Sequence, residues 1–157
     1  MLKGKKLAVI GVGKLGEALI AGLLKQGDLT CADIKGSIAQ QESIKRVRDR
    51  LGIDVTLDNS ELVQGKDIVI ISVKPQNMDA VLKEIADTVQ PEQLLISVAA
   101  SVTTRFVQER LHNKVPVVRG MPNTPSILNA GMAGLCGGDY AQKEHLDMAL
   151  AVFQCVG

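Results

Sequence analysis

One segment constrains this chain more than any other: Leu7-Ala8-Val9-Ile10, then Gly11-Val12-Gly13-Lys14-Leu15-Gly16, then Ala18, Leu19, Gly22 and Leu23 on one helical face. Four apolar residues stopped by glycine read as a buried strand, and the three- and four-residue spacing that follows reads as an amphipathic helix. In a strand, tight turn and helix so joined, Gly11 makes the turn, Gly13 lets an anion approach the backbone, and Gly16 lets helix and strand pack closely. The free amides at the helix N-terminus then face the anion. Gly11, Val12, Gly13, Lys14, Leu15 and Gly16 are therefore candidate phosphate contacts, with Lys14 either reaching the phosphate or staying in solvent.

The same theme recurs along the chain. Further strand candidates are a weak one within Ile34–Ile38, then Ile68–Val73, Leu94–Val98 and Val115–Val118. Between them Ile44, Val47 and Leu51 recur at helical spacing, as do Met78, Val81, Leu82 and Ile85, and later Leu146, Ala149, Leu150 and Phe153. Short β-rich runs alternating with helices build a parallel sheet from βαβ units. With the glycine turn at the first strand–helix junction, the pattern predicts a Rossmann-type, doubly wound α/β fold. It has a mostly parallel sheet, helices on both faces and a nicotinamide dinucleotide as ligand. The 157 residues suit one such domain, and the apolar last turn, Val152 to Val156, reads as a cut from a larger protein.

Charge and composition exclude other classes. With 18 Lys and Arg against 17 Asp and Glu, no whole-chain field favours nucleic acid or an anionic membrane, so a phosphate must be held locally. No apolar run approaches the roughly 18 residues that span a bilayer, so no transmembrane segment is expected. The basic start, Met1 to Lys6, leads into an apolar run broken by the glycine turn, which argues against a secretory signal and for a cytoplasmic location. Cys31, Cys136 and Cys155 are widely separated and include no Cys-x-x-Cys pair, so neither a disulfide framework nor a metal site is expected. His112 and His145 sit in stretches that read as helical surface. No acid–base pair or activated nucleophile is visible, as suits hydride transfer with proton donors from elsewhere.

An acid about 20 residues beyond the first glycine would hold the ribose 2′-hydroxyl of NAD. Asp33 has that spacing, but it begins the second strand, whereas cofactors lie at strand C-terminal ends. The ribose then meets Ser37, Ile38, Ala39, Gln40 and Gln41, which offer donors and no carboxylate, so NADP is expected over NAD. The third strand candidate, Ile68–Val73, runs into Ser72-Val73-Lys74-Pro75, with Pro75 suited to a first helical turn and Lys74 beside the crevice. The small residues Val98-Ala99-Ala100-Ser101 leave room for a nicotinamide ring or serve tight packing, and Thr103 is placed to cap a helix. In Met121-Pro122-Asn123-Thr124-Pro125, two prolines bracket an amide and a hydroxyl. The segment is either a rigid loop for a substrate's polar edge or a turn that satisfies its own backbone.

The glycine turn, Ser72-Val73-Lys74-Pro75-Gln76, Val98-Ala99-Ala100 and the Met-Pro-Asn-Thr-Pro loop together resemble pyrroline-5-carboxylate reductase, in that family's order and spacing. The resemblance implies cofactor contacts from Gly11–Gly16, Ser37 to Gln40, Asn59, Ser72, Val73, Lys74, Pro75, Val98, Ala99 and Ala100. The loop Met121 to Pro125 would stand near nicotinamide and substrate. It also implies NADPH, sometimes NADH, as hydride donor to the C=N carbon of 1-pyrroline-5-carboxylate, giving proline. The family carries a second, all-helical domain for dimerisation and for substrate and catalytic contacts. That domain is expected beyond this chain, which would then bind cofactor but reduce little. Two positions depart from the family: Ser101 stands where glycine is usual, and Gly120 where a larger residue is usual. Two further readings are a non-catalytic NADP(H)-sensing module and another oxidoreductase on this scaffold, F420-dependent or β-hydroxyacid-specific. The proline-bracketed loop argues against the last two activities.

Overall fold

The computed structural model describes residues 2–99, 101–122 and 133–155. Strand β1 (Leu7–Ile10) leads through the glycine turn into helix α1 (Lys14–Gln26). Strand β2 (Ile34–Ser37), helix α2 (Ile44–Leu51), strand β3 (Asp54–Thr56), helix α3 (Asn59–Val63) and strand β4 (Ile68–Ile71) follow. Helix α4 (Met78–Ile85), strand β5 (Leu94–Ser97), helix α5 (Thr104–Arg110), strands β6 (Val117–Pro122) and β7 (Ala133–Gly137), and helix α6 (Lys143–Phe153) complete the order.

The seven strands form one sheet in the order β3-β2-β1-β4-β5-β6-β7. All pairs are parallel except β6 with β7, where Arg119 faces Cys136 and Met121 faces Gly134 in antiparallel register. The chain order reverses beside β1, between β2 and β4, and that reversal opens a crevice at the strand C-terminal ends. The expected doubly wound sheet is therefore present.

Side chains of β1 alternate between two cores. Leu7 and Val9 pack with Leu19, Ile20 and Leu23 of α1, Val47 of α2 and Phe153 of α6. Ala8 and Ile10 pack with Leu62 of α3, Met78 and Leu82 of α4 and Val107 of α5. A strand covered on both faces has no polar side to show, hence the unbroken apolar runs Leu7-Ala8-Val9-Ile10 and Ile68-Val69-Ile70-Ile71. Thr103 caps α5 as expected, its hydroxyl accepting from the Phe106 amide at 3.0 Å.

Some expected boundaries differ. β4 stops at Ile71 because Val73 turns back to pack over Gly11, and β6 starts at Val117 and runs on to Pro122. On α6, Ala149, Val152 and Phe153 face the core, while Leu150, expected on that stripe, is 45% exposed.

Candidate functional site

The glycine turn is built for close quarters. Gly11 has φ +83°, and a Cβ there would stand 2.6 Å from Val73 Cγ1 and 3.0 Å from the Ser72 carbonyl. β2 braces the turn from below, its Ser37 carbonyl accepting from the amides of Gly11 at 3.1 Å and Val12 at 2.9 Å. Ser37 Oγ also accepts from the Gly11 amide, at 3.3 Å, and its side chain is buried. A Cβ on Gly16 would touch the Gly11 carbonyl at 3.0 Å, whereas one on Gly13 would meet nothing within 4 Å. Close packing is thus required at Gly16, and open space lies beside Gly13.

No side chain caps α1 at Gly13. Its first-turn amides, those of Lys14, Leu15 and Gly16 included, are left for an anion, reinforced by the dipole of a 13-residue helix. Glu17 would oppose an anion there, but Arg46 at 3.2 Å and Arg50 at 3.9 Å draw its carboxylate aside.

Beside the turn lies a crevice of about 400 Å³, lined by Ile10 and Gly11, by Ser37, Ile38 and Ala39 after β1's neighbour β2, and by Leu57, Asn59, Val73, Asn77, Ala80, Val81 and Glu84. Ile38, Leu57, Ala80 and Val81 give apolar walls suited to a flat base, which accounts for Leu57 being 45% exposed. Asn59 Nδ2 donates to Glu84 Oε2 at 3.1 Å, and its Oδ1 is buried without a hydrogen-bond partner among the described residues. An unpaired buried acceptor costs about 1–3 kcal/mol, which a donor entering the crevice would recover.

The structure brings Gly11, Ser37, Asn59 and Val73 to this one crevice. Lys74 and Pro75 follow at the start of a short 3-10 turn, Pro75 to Asn77, both exposed, with Pro75 at the expected first position. Ser72 is half-buried and its amide donates to the Ile10 carbonyl at 2.8 Å. Val98 and Ala99 follow β5, one strand beyond β4 at the same sheet edge, with Ala99 buried. Gln40 is exposed and its carbonyl accepts from Ser43, clear of the crevice lining. Ser37 Oγ accepts from the Gly11 amide, which leaves its O–H free to donate, and the residue lines the crevice as expected. Ala100, Asn123, Thr124 and Pro125 lie outside the described residues; Met121 and Pro122 end β6 opposite Gly134 and Ala133.

Asp33 lies at the opposite pole, as the register of the second strand requires. It takes the Lys6 ammonium at 2.5 Å and the Thr30 amide at 2.9 Å, and these two hydrogen bonds hold its carboxyl below the usual aspartate value. Sequence reasoning missed the α4 wall, yet Asn77, Ala80 and Glu84 recur at three and four residues, one helix face that the apolar stripe leaves free.

Both departures from the family pattern have a place. Ser101 has φ +65°, the left-handed region where glycine is at ease. A Cβ on Gly120 would overlap the ring of Phe153, so a larger residue there would have to displace that ring. Among the described residues no cluster of three or more His, Cys, Asp or Glu is placed to hold a metal ion, and no helix is long and apolar enough to cross a membrane.

The pyrroline-5-carboxylate reductase of Methanosarcina acetivorans is 35% identical to this chain over 156 residues, covering 99% of the chain and 58% of that protein. The solved pyrroline-5-carboxylate reductase of Coxiella burnetii superposes with a TM-score of 0.87 at 28% identity, over 98% of this chain and 57% of that one. Plasmodium falciparum pyrroline carboxylate reductase, solved with NADP bound, shares the fold at a TM-score of 0.84 and 22% identity, covering 99% of this chain and 56% of that one. The chain thus spans little more than half the length of these proteins, and the resemblance read from its motifs is borne out. Residues 6–101 match the family model described as NADP oxidoreductase, coenzyme F420-dependent, and the chain belongs to that family.

Proposed function

We propose that the protein is the cofactor-binding half of a pyrroline-5-carboxylate reductase, which reduces 1-pyrroline-5-carboxylate to L-proline with NADPH, NADH also serving. The observation that carries this reading is likeness to such reductases along nearly the whole chain, joined to a glycine turn shaped for an anion. The α1 amides and Lys14 would hold the pyrophosphate; Ile38, Ala39 and Asn59 would hold the adenosine. Ser72 to Pro75 and Val98 to Ala100 would border the nicotinamide, and Met121 to Pro125 would meet the substrate's polar edge. When bound, a reduced nicotinamide supplies the hydride. A protonated imine accepts hydride readily, so these residues mainly position and orient.

NADPH is favoured because β2 ends without a carboxylate and Asp33 is occupied at the far pole. The complete enzyme would add an all-helical domain that dimerises and grips the substrate carboxylate, and it would work in the cytoplasm. The test pairs nucleotide binding by this chain with turnover by the longer protein carrying both halves. NADPH binding here and imine-dependent NADPH oxidation there support the reading. No binding of either nucleotide refutes it, and binding without turnover assigns the chain to a nucleotide-sensing module instead.

A further inference from the structure

Where a dinucleotide site selects the unphosphorylated ribose, an acid at the end of β2 accepts from the 2′-hydroxyl; where it selects the phosphorylated one, an arginine nearby takes the phosphate. This crevice has neither at that position. Among the described residues lining it, the one charged side chain is Glu84, on α4, and Ile38 and Ala39, which follow β2, line the same crevice. Asn59 Nδ2 donates to Glu84 Oε2 at 3.1 Å, which ties the carboxylate to the crevice wall while leaving its second oxygen and further lone pairs to accept. Glu84 and the residues after β2 line one crevice, and a carboxylate acts over about one Debye length, about 8 Å at physiological ionic strength, so a phosphate held in that crevice feels it.

We propose that Glu84 sets the balance between the two nicotinamide dinucleotides, supplying from α4 the carboxylate that β2 lacks. It accepts from the ribose 2′-hydroxyl of NADH and repels the 2′-phosphate of NADPH, narrowing whatever preference the open end of β2 gives to NADPH. The proposal rests on the crevice being the adenosine site.

Fluorescence titration of the protein and its Glu84→Gln variant with NADPH and NADH tests it. The glutamine keeps an acceptor for Asn59 and removes the charge. NADPH should tighten by about tenfold, the scale expected for a phosphate and a carboxylate interacting across a solvated crevice, while NADH stays within about threefold or weakens. The gain should shrink in roughly 1 M salt, where the Debye length is about 3 Å. Glu84→Asp should retain the original ratio, which separates charge from packing. An unchanged NADPH-to-NADH ratio in Glu84→Gln, or an equal shift for both nucleotides, overturns the proposal. Failure of the unsubstituted protein to bind either nucleotide overturns the crevice reading itself.

Discussion

Replacing Gly120 by alanine asks whether α6 is seated as tightly on β6 as the structure shows. The added methyl would lie within the ring of Phe153, which is buried at 2% exposure and would have to shift. Overpacking of this kind costs about 1–3 kcal/mol. Removing a glycine from a strand returns about 0.5–1 kcal/mol, since alanine has less freedom to lose on folding. The net loss lies between about 0 and 2.5 kcal/mol, centred on about 1 kcal/mol, which is a fall in Tm of about 2–4 °C for a chain of this size. In a Phe153→Leu background the methyl meets less obstruction, so the same change should cost below about 0.5 kcal/mol, a coupling of about 1 kcal/mol. Urea unfolding of the four proteins, with midpoints compared at constant slope, measures it. Equal costs in both backgrounds would refute the packing argument.

Ser101→Gly should stabilise the chain by about 0.5–1 kcal/mol: a left-handed residue costs about 1–2 kcal/mol and glycine's extra unfolded-state freedom returns only part of it. A lower unfolding midpoint would contradict this. Gly11→Ala places a side chain at φ +83° against Val73 and Ser72, so NADPH affinity should fall more than about tenfold, read by titration. Asp33 has a lowered folded-state pKa, so its contribution is fully present above its ordinary value of 3.8 and is lost as pH falls through the lowered one. Asp33→Asn should therefore flatten the decline of Tm between about pH 5 and pH 2, and an unaltered acid profile would count against the Lys6 and Thr30 contacts.

The parallel core was legible because β1, β4 and β5 are buried on both faces and so are written as apolar runs. β3 escaped because three residues, Asp54 to Thr56, cannot display a period, and α3 because five residues scarcely exceed one turn. β7, Ala133 to Gly137, carries glycine and alanine where a strand signal needs branched side chains, and its pairing with β6 is antiparallel. The glycine turn was readable because Gly11 and Gly16 answer local steric needs, while Gly13 has open space beside it. The crevice was readable only on its β2 side. Its other wall depends on which face of α4 turns toward Leu57 and Asn59, a tertiary fact that Glu84 alone does not announce. Ser37 shows the same limit: its place at the crevice was foreseen, but not that its Oγ also accepts from the Gly11 amide and ties the turn to β2.

The most direct test of the central claim is a map of backbone amide shifts in the labelled chain as NADPH is added. The account predicts the largest changes at Gly11 to Gly16, Ile38 to Gln40, Asn59 and Ser72 to Lys74, with the opposite pole around Asp33 and Lys66 unmoved. Changes centred on that opposite pole, or none at saturating nucleotide, would contradict it.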